Sequence, residues 1–271
     1  MITLNYNNST VSIGEIIALF TITPLIMNAY NGVIGMSFKY IECKPYLKRA
    51  NKILEYEEEV SSGTDIDKFK ELKTSNVRIE YENDQIVSIP DMCIKQGEKI
   101  IISGESGVGK STLFDIILGF KTSYEGKVTI NGVDLRDINI HSVRKLFGIS
   151  IQNNDVFTTS LEDNIILGYM NDSNFESVVD VSGLKELVED KRSETITVNT
   201  TSGGEKSRIG LAQNLIREPK VILLDETFSN IDEDNEKEIL NKLINEFENK
   251  TIVCISHRDS TRKFFQREIC F

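Results

Sequence analysis

Basic residues are in short supply. Lysine and arginine number 31 against 42 aspartates and glutamates, a net charge of −11. Binding to a nucleic-acid backbone needs clustered cations that this balance does not provide, so no nucleic-acid partner is expected. A single nucleotide is a different matter, because a few local dipoles and one lysine can hold it. Cysteine is also sparse. Cys43, Cys93, Cys254 and Cys270 have none of the spacings of a zinc site, and two of them sit in apparent strands, as reduced cytosolic thiols do. Residues 1–14 contain no lysine or arginine, so the start lacks the basic region of a cleavable signal. No segment repeats, which excludes a solenoid.

The last absence is of charge. From Ile16 to Phe38, 23 residues carry none, and as a helix they are long enough to cross about 30 Å of hydrocarbon. Thr21, Pro24, Asn28, Asn31 or Gly32, and Gly35 recur at helical spacing. Polar and small groups therefore share one face, which calls for protein neighbours or a water-filled path. Lys39, Lys44, Lys48, Arg49 and Lys52 follow at once, an asymmetry that puts the C-terminal side in the cytoplasm. A buried helix of a soluble protein is the alternative.

What is present begins with Gly104-Glu105-Ser106-Gly107-Val108-Gly109-Lys110-Ser111-Thr112. This run fits G-x-x-x-x-G-K-[ST] and lies between a β-rich apolar run, residues 98–103, and a helical pattern from Leu113. Glycines let the backbone wrap a phosphate chain while successive N–H groups and a helix N-terminus point at it. Lys110 then holds the β- and γ-phosphates of a nucleoside triphosphate, and Ser111 offers its hydroxyl to Mg²⁺. A second acidic site ends the apolar run Lys220-Val-Ile-Leu-Leu-Asp225-Glu226, which reads as a buried parallel strand. Asp225 at its C-terminal end is placed to hold the metal, and Glu226 to polarise or position a water. Thr201-Ser202-Gly203-Gly204-Glu205-Lys206-Ser207-Arg208 lies between them. It opens a helical pattern through Ile209, Leu211, Ala212, Leu215 and Ile216, making another anion site at a helix N-terminus.

That segment resembles the signature of ATP-binding cassette (ABC) ATPases, usually Leu-Ser-Gly-Gly-Gln with Arg three residues on. Ser202, Gly203, Gly204 and Arg208 match, whereas Thr201 replaces Leu and Glu205 replaces Gln. The Glu205 charge is expected to weaken ATP capture. In the family this turn binds the γ-phosphate held by a partner subunit's glycine loop. Further pieces fall in family order. Gln152, after the strand Phe147–Ile151, resembles the Q-loop residue that touches metal and attacking water. Phe157 and Leu161–Ile165 resemble the exporter segment that follows it. Ser229-Asn230-Ile231-Asp232 resembles the D-loop, and His257, after Thr251–Ser256, the switch histidine. Tyr81, 23 residues before Gly104, resembles the aromatic that stacks on adenine.

The resemblance implies an α/β P-loop NTPase fold of the ABC type over residues 74–271. It implies an antiparallel β subdomain near 74–102 and 124–135, with a hairpin turn at Asn131-Gly132, and a small helical subdomain between Gln152 and Ser202. Residues 1–54 look like the last transmembrane helix of an ABC exporter, spanning about 12–38, with its cytoplasmic extension. Residues 55–73, with Glu57-Glu-Glu59 and Ser61-Ser-Gly63, read as a solvated linker. The implied protein is a bacterial exporter subunit in the cell membrane that binds ATP and Mg²⁺ and hydrolyses ATP. Two ATPase domains would close as a homodimer or heterodimer around two ATP molecules. A half-exporter supplies six membrane helices and this chain one, so a partner chain would supply the others. An inactive truncated remnant and a soluble non-transport ABC ATPase are the alternatives, and the transported substrate, a peptide by loose likeness, is left open.

Overall fold

The computed structural model describes residues 3–6, 9–55, 62–81, 85–152, 154–169 and 174–271. The chain divides into two compact units, residues 1–60 and residues 61–271.

The first unit opens with a hairpin of β1 (Thr3–Tyr6) and β2 (Ser9–Ser12), antiparallel with Thr3 opposite Ser12. One long helix follows, α1 (Ile13–Leu54). Its start is fixed by a capping box. The Ser12 hydroxyl accepts from Glu15 N, and the Glu15 carboxylate accepts from Ser12 N at 2.8 Å, so two of the helix's orphan donors are satisfied. Pro24 and Pro45 each remove a backbone donor inside α1. Three hydroxyls bond back to the helix's own carbonyls: Thr21 to Ala18, Thr23 to Leu19 and Ser37 to Val33, at 2.7–2.9 Å. Polar groups satisfied in this way are tolerable in hydrocarbon. No residue of α1 is buried, and Phe20, Leu25, Met36 and Phe38 all lie open. An apolar surface this continuous calls for lipid or another protein against it. The helix includes the expected span 12–38 and runs on unbroken through the basic residues. The hairpin before it was not anticipated, because four-residue strands are too short to show a period.

In chain order the second unit starts with β3 (Glu71–Glu80), β4 (Ile86–Ile89), β5 (Met92–Lys95), β6 (Lys99–Ser103) and α2 (Lys110–Ile117). Next come β7 (Glu125–Ile130), β8 (Val133–Asp134), α3 (Ile140–Leu146), β9 (Phe147–Ser150) and β10 (Thr159–Ser160). The helices α4 (Leu161–Ile166), α5 (Phe175–Val181) and α6 (Lys185–Lys191) lead to β11 (Thr195–Ile196) and α7 (Gly203–Leu215). The chain closes with β12 (Val221–Asp225), α8 (Glu233–Glu246), β13 (Thr251–Ile255), α9 (Asp259–Arg262) and β14 (Arg267–Cys270).

A five-stranded sheet in the order β14-β6-β13-β12-β9 is parallel throughout. Its middle strands are continuous apolar runs because both faces are covered. Alternation splits them between two cores. Val221, Leu223, Val253 and Ile255 join α2, α3 and the antiparallel strands, with Phe114, Ile79 and Val128. Ile222, Leu224, Ile252 and Cys254 face the other way, toward α4, α5, α7 and α8. The antiparallel sheet runs β4-β3-β7-β8, with β5 also on β3. Its β7–β8 turn holds Asn131 and Gly132 both at positive φ, as a two-residue hairpin loop requires. Cys254 is wholly buried, and burial, then the Glu236 and Asp225 charges, push its thiol above the ordinary range.

Three details differ from the sequence reading. Residues 64–73 are not a solvated linker: Thr64 bridges to Ile138, Ile66 N donates to Ser142 Oγ at 3.1 Å, and β3 begins at Glu71. Phe69, 4% exposed, meets Phe147 edge-on at 5.5 Å. Glu57–Glu59 and Ser61 lie outside the described residues. The second difference is β6, which falls in the range read as antiparallel yet is a parallel strand. The third is β14, an unanticipated edge strand beside β6.

Ile102 is fully buried in β6 within the first core. Ile102→Ala is expected to cost about 2–5 kcal/mol of stability. Urea unfolding of the chain followed by tyrosine fluorescence, which has no tryptophan to compete with it, checks this.

Candidate nucleotide-binding site

Parallel register brings the strand ends together. Asp225 pairs with Ile255, Ile255 with Ile102, and Leu224 with Ser150, so whatever follows these strands emerges along one edge. In an open α/β sheet that edge is where ligands bind.

The loop after β6 is shaped by its glycines and one lysine. Gly104, Gly107 and Gly109 all have positive φ. At Gly109, which caps α2 at φ +109, an added Cβ would run into the Val87 side chain of β4. Lys110 is 6% exposed, and its ammonium donates to Gly104 O at 3.0 Å and Glu105 O at 2.7 Å. The loop thus closes around a positive charge at the N-terminus of a helix. A cleft of about 310 Å³ opens over it, lined by Tyr81, Gln85, Val87, Ser106, Gly107, Gly109, Lys110, Ser111, Thr112 and Glu226. That volume is at the lower end for small-ligand sites. Gly104 and Val108 belong to the loop but do not line the cleft. Tyr81 stands just past β3, its hydroxyl 3.0 Å from Thr112 Oγ1.

Beyond β12 the acidic pair divides its tasks. The Ser111 hydroxyl lies beside the Asp225 carboxylate. Burial raises the Asp225 pKa, the nearby Ser111 hydroxyl works against it, the Glu226 and Asp115 charges add to it, and Lys110 opposes it. Glu226 sits at φ +47, a conformation sparsely populated outside glycine. Its N–H is bonded to Ile255 O at 3.1 Å. Its carboxylate is 3.4 Å from His257 Nε2. Glu226 also lines a second recess of about 140 Å³ with Ser229, His257 and Arg258. Gln152 lies exposed two residues past β9, on the same sheet edge, and is not among the residues lining either recess.

The signature segment forms the start of α7. Ser202 is its N-cap: the hydroxyl accepts from Glu205 N at 3.2 Å, and the Glu205 carboxylate accepts from Ser202 N at 2.7 Å. Burial works to raise the Glu205 pKa, but bonds from Ser202 and the nearby Arg208 and Lys191 bring it below the ordinary value. A glutamine can complete the same capping box, so the change from the usual residue keeps the cap and adds a charge. Thr201 turns inward, its hydroxyl on Thr197 O at 2.8 Å. A Cβ on Gly204 would come within 3.0 Å of Asn230 O, which leaves the D-loop backbone seated against the signature turn. Arg208 reaches back to Gly183 O at 2.7 Å. Asp232 caps α8 by accepting from Asn235 N at 3.0 Å.

Two residues here escaped the sequence reading. Glu236 is fully buried, and its carboxylate takes 2.6 Å from Arg258 Nη1 as well as the Thr261 hydroxyl. Arg258 further donates to Ile231 O and Ser229 O, each at 2.8 Å. The residue after His257 thus grips the backbone of the D-loop. A signal was available: Glu236, Ile239, Leu240 and Leu243 are the buried positions of α8, so the glutamate occupies an i, i+3, i+4, i+7 core stripe.

A glycine loop closed on a buried lysine, facing an acidic strand end across one cleft, defines a P-loop nucleotide site. The family follows from the central part of the chain. The ABC transporter profile matches residues 87–229, and the chain belongs to that family. It is similar to the lactococcin-A transport/processing ATP-binding protein LcnC of Lactococcus lactis subsp. lactis, 29% identical over 272 residues, covering 96% of this chain and 38% of that protein. A probable ABC transporter ATP-binding/permease protein of Haemophilus influenzae is 32% identical over 253 residues, covering 88% of this chain and 45% of its own length. Among solved structures, a bacterial Atm1-family ABC exporter with ATP bound shares the fold, with a TM-score of 0.76 at 21% identity over 98% of this chain and 49% of that one. The chain spans less than half the length of each of these proteins.

Removing Arg258 would strand the Glu236 charge. Arg258→Ala is expected to lower stability by about 3 kcal/mol, the low end for a broken buried pair, because the guanidinium is 33% exposed. Pairing it with Glu236→Leu should recover part of that loss in the same denaturation measurement.

Proposed function

We propose that this chain is the ATP-hydrolysing part of a bacterial ABC exporter, working in the cell membrane with its ATPase unit in the cytoplasm. The observation that carries the reading is the convergence of Lys110, Ser111 and Glu226 on one cleft, with His257 against Glu226.

The residues present fit a nucleoside triphosphate with a divalent cation. The loop reaches this conformation with Gly104, Gly107 and Gly109 at positive φ, as a glycine-rich phosphate cradle does. Ser111 and Asp225 are hard oxygen donors, and Asp225 is burdened by two neighbouring negative charges. An ion of this kind is commonly held by one or two carboxylates together with substrate phosphates. Ser111 and Asp225, with Gln152 nearby, would hold Mg²⁺, which would neutralise charge on the phosphates. Tyr81 receives the base, and Ser106, Gly107, Val108, Gly109 and Thr112 the phosphates beside Lys110. Glu226 orients the attacking water and takes up its proton, and His257 steadies Glu226 and the terminal phosphate.

Completing the site takes a second ATPase unit, from the same chain or a related one, packed head to tail. Ser202, Gly203 and Gly204 of one unit then face the loop of the other, and Asp232 keeps the D-loop between them capped. Glu205 is committed to the Ser202 N–H, which moderates the weakening its charge would bring. In the membrane α1 supplies one span, its basic C-terminal half in the cytoplasm. The similarity to a lactococcin transport protein favours a peptide as cargo.

Glu226→Gln should keep ATP binding and lower turnover by about 10²–10⁴-fold; undiminished phosphate release would remove Glu226 from its role. Lys110→Ala should abolish nucleotide binding in calorimetric titration, and wild-type affinity in that variant would contradict the cleft assignment.

A further inference from the structure

Tyr81 is held twice, once by α2 and once by the turn that follows it. Thr112, in the helix's first turn, bonds its hydroxyl at 3.0 Å, and the ammonium of Lys121, just past the helix's end, lies 3.8 Å from the centroid of its ring. Lys121 is itself fixed in place. The N–H groups of Phe120 and Lys121 both donate to Asp115 O, at 2.8 and 3.1 Å, in a turn closed by Gly119 at φ +75. The Asp115 carboxylate, which burial pushes above the ordinary range, feels the Lys121 charge in the opposite sense. Tyr81 lines the cleft and Lys121 does not. One side of the ring is therefore covered by a cation while the ring itself borders the space over the phosphate loop.

We infer that Lys121 is a positioning residue for the nucleotide base: it covers one face of Tyr81, holds the ring upright with Thr112, and leaves the other face as the platform for an aromatic base. This rests on the reading that a nucleotide occupies the cleft. A ring pinned at its hydroxyl and on one face loses little freedom when a base stacks on it, and preorganisation of this kind is worth affinity. The same short helix then sets both ends of the ligand. Its N-terminus faces the phosphates, and its C-terminal turn fixes the surface that receives the base. A cation against an aromatic face contributes enough to change an affinity by about two- to fivefold at a partly exposed position.

The test separates base from phosphate. Full-length chain in detergent is titrated with Mg²⁺·ATP and with Mg²⁺·tripolyphosphate, which has no base, as wild type, Lys121→Gln and Lys121→Arg. Lys121→Gln is expected to weaken ATP by about two- to fivefold and leave tripolyphosphate unchanged, and Lys121→Arg, which restores a cation over the ring, to return ATP to the wild-type value. Equal weakening of both ligands would make Lys121 a remote charge acting on phosphates and overturn the proposal. So would unchanged ATP affinity in Lys121→Gln. Wild-type chain that binds tripolyphosphate as tightly as ATP would remove the base from Tyr81, and the proposal with it. A wild-type chain that binds neither would instead defeat the nucleotide reading itself.

Discussion

The in-register parallel pairing of β6, β13, β12 and β9 is the constraint on which the rest of the second unit depends. It sets Ile102, Ile255, Asp225 and Ser150 along one edge, so a lysine loop, an acidic pair and a histidine that are far apart in sequence arrive in one place. A one-residue slip of β12 would exchange Leu223 for Leu224 between the two cores and turn Asp225 away. Both cores resist that slip together, because Val221 and Leu223 are locked on one side and Ile222 and Leu224 on the other.

Around that edge, polar contacts bind loops that would otherwise move separately. Arg258 holds the carbonyls of Ser229 and Ile231 while its charge is answered inside the fold by Glu236. The D-loop backbone in turn lies close against position 204, where a Cβ would come 3.0 Å from Asn230 O. Switch, D-loop and signature turn are thus contiguous within one chain. The switch is tied to the D-loop backbone through the Arg258 guanidinium, and the D-loop backbone lies directly against the signature turn. The first unit obeys different physics. Nothing on α1 is buried, and its stability rests on its capping box, on internal hydrogen bonding and on whatever apolar medium surrounds it.

Most of the cleft was legible in the sequence because its chemistry fixes both residue type and spacing. Gly104 to Thr112 can be read directly, since a cradle for phosphate tolerates few alternatives, and Val221 to Glu226 is a doubly buried strand that ends in acid. Residues whose roles come from tertiary placement were not legible. Lys121 looks like any surface lysine until the turn after α2 brings it onto Tyr81. Glu236 looks like one more acid in an acidic helix until its neighbours Ile239 and Leu240 are seen to be core. The stretch 64–73 reads as linker because its charged residues hide two anchors, Phe69 and Thr64. The edge strand Arg267–Cys270 lacks alternation and is recruited only because β6 has an open side.

Cys254 gives the chain a clock of its own. It lies in β13 between Leu224 and Ile101, bonded into ladders on both sides, and it is wholly shielded while Cys43 and Cys270 are exposed. Its side chain packs in the core under α4, α5, α7 and α8, so a thiol reagent reaches it only when that helical layer lifts from the sheet. Its modification kinetics therefore count openings of that layer, whereas Cys43 and Cys270 respond to the solvent they already touch. The interior of the second unit thus carries a native sulfur atom whose silence records that its helices have stayed on the sheet.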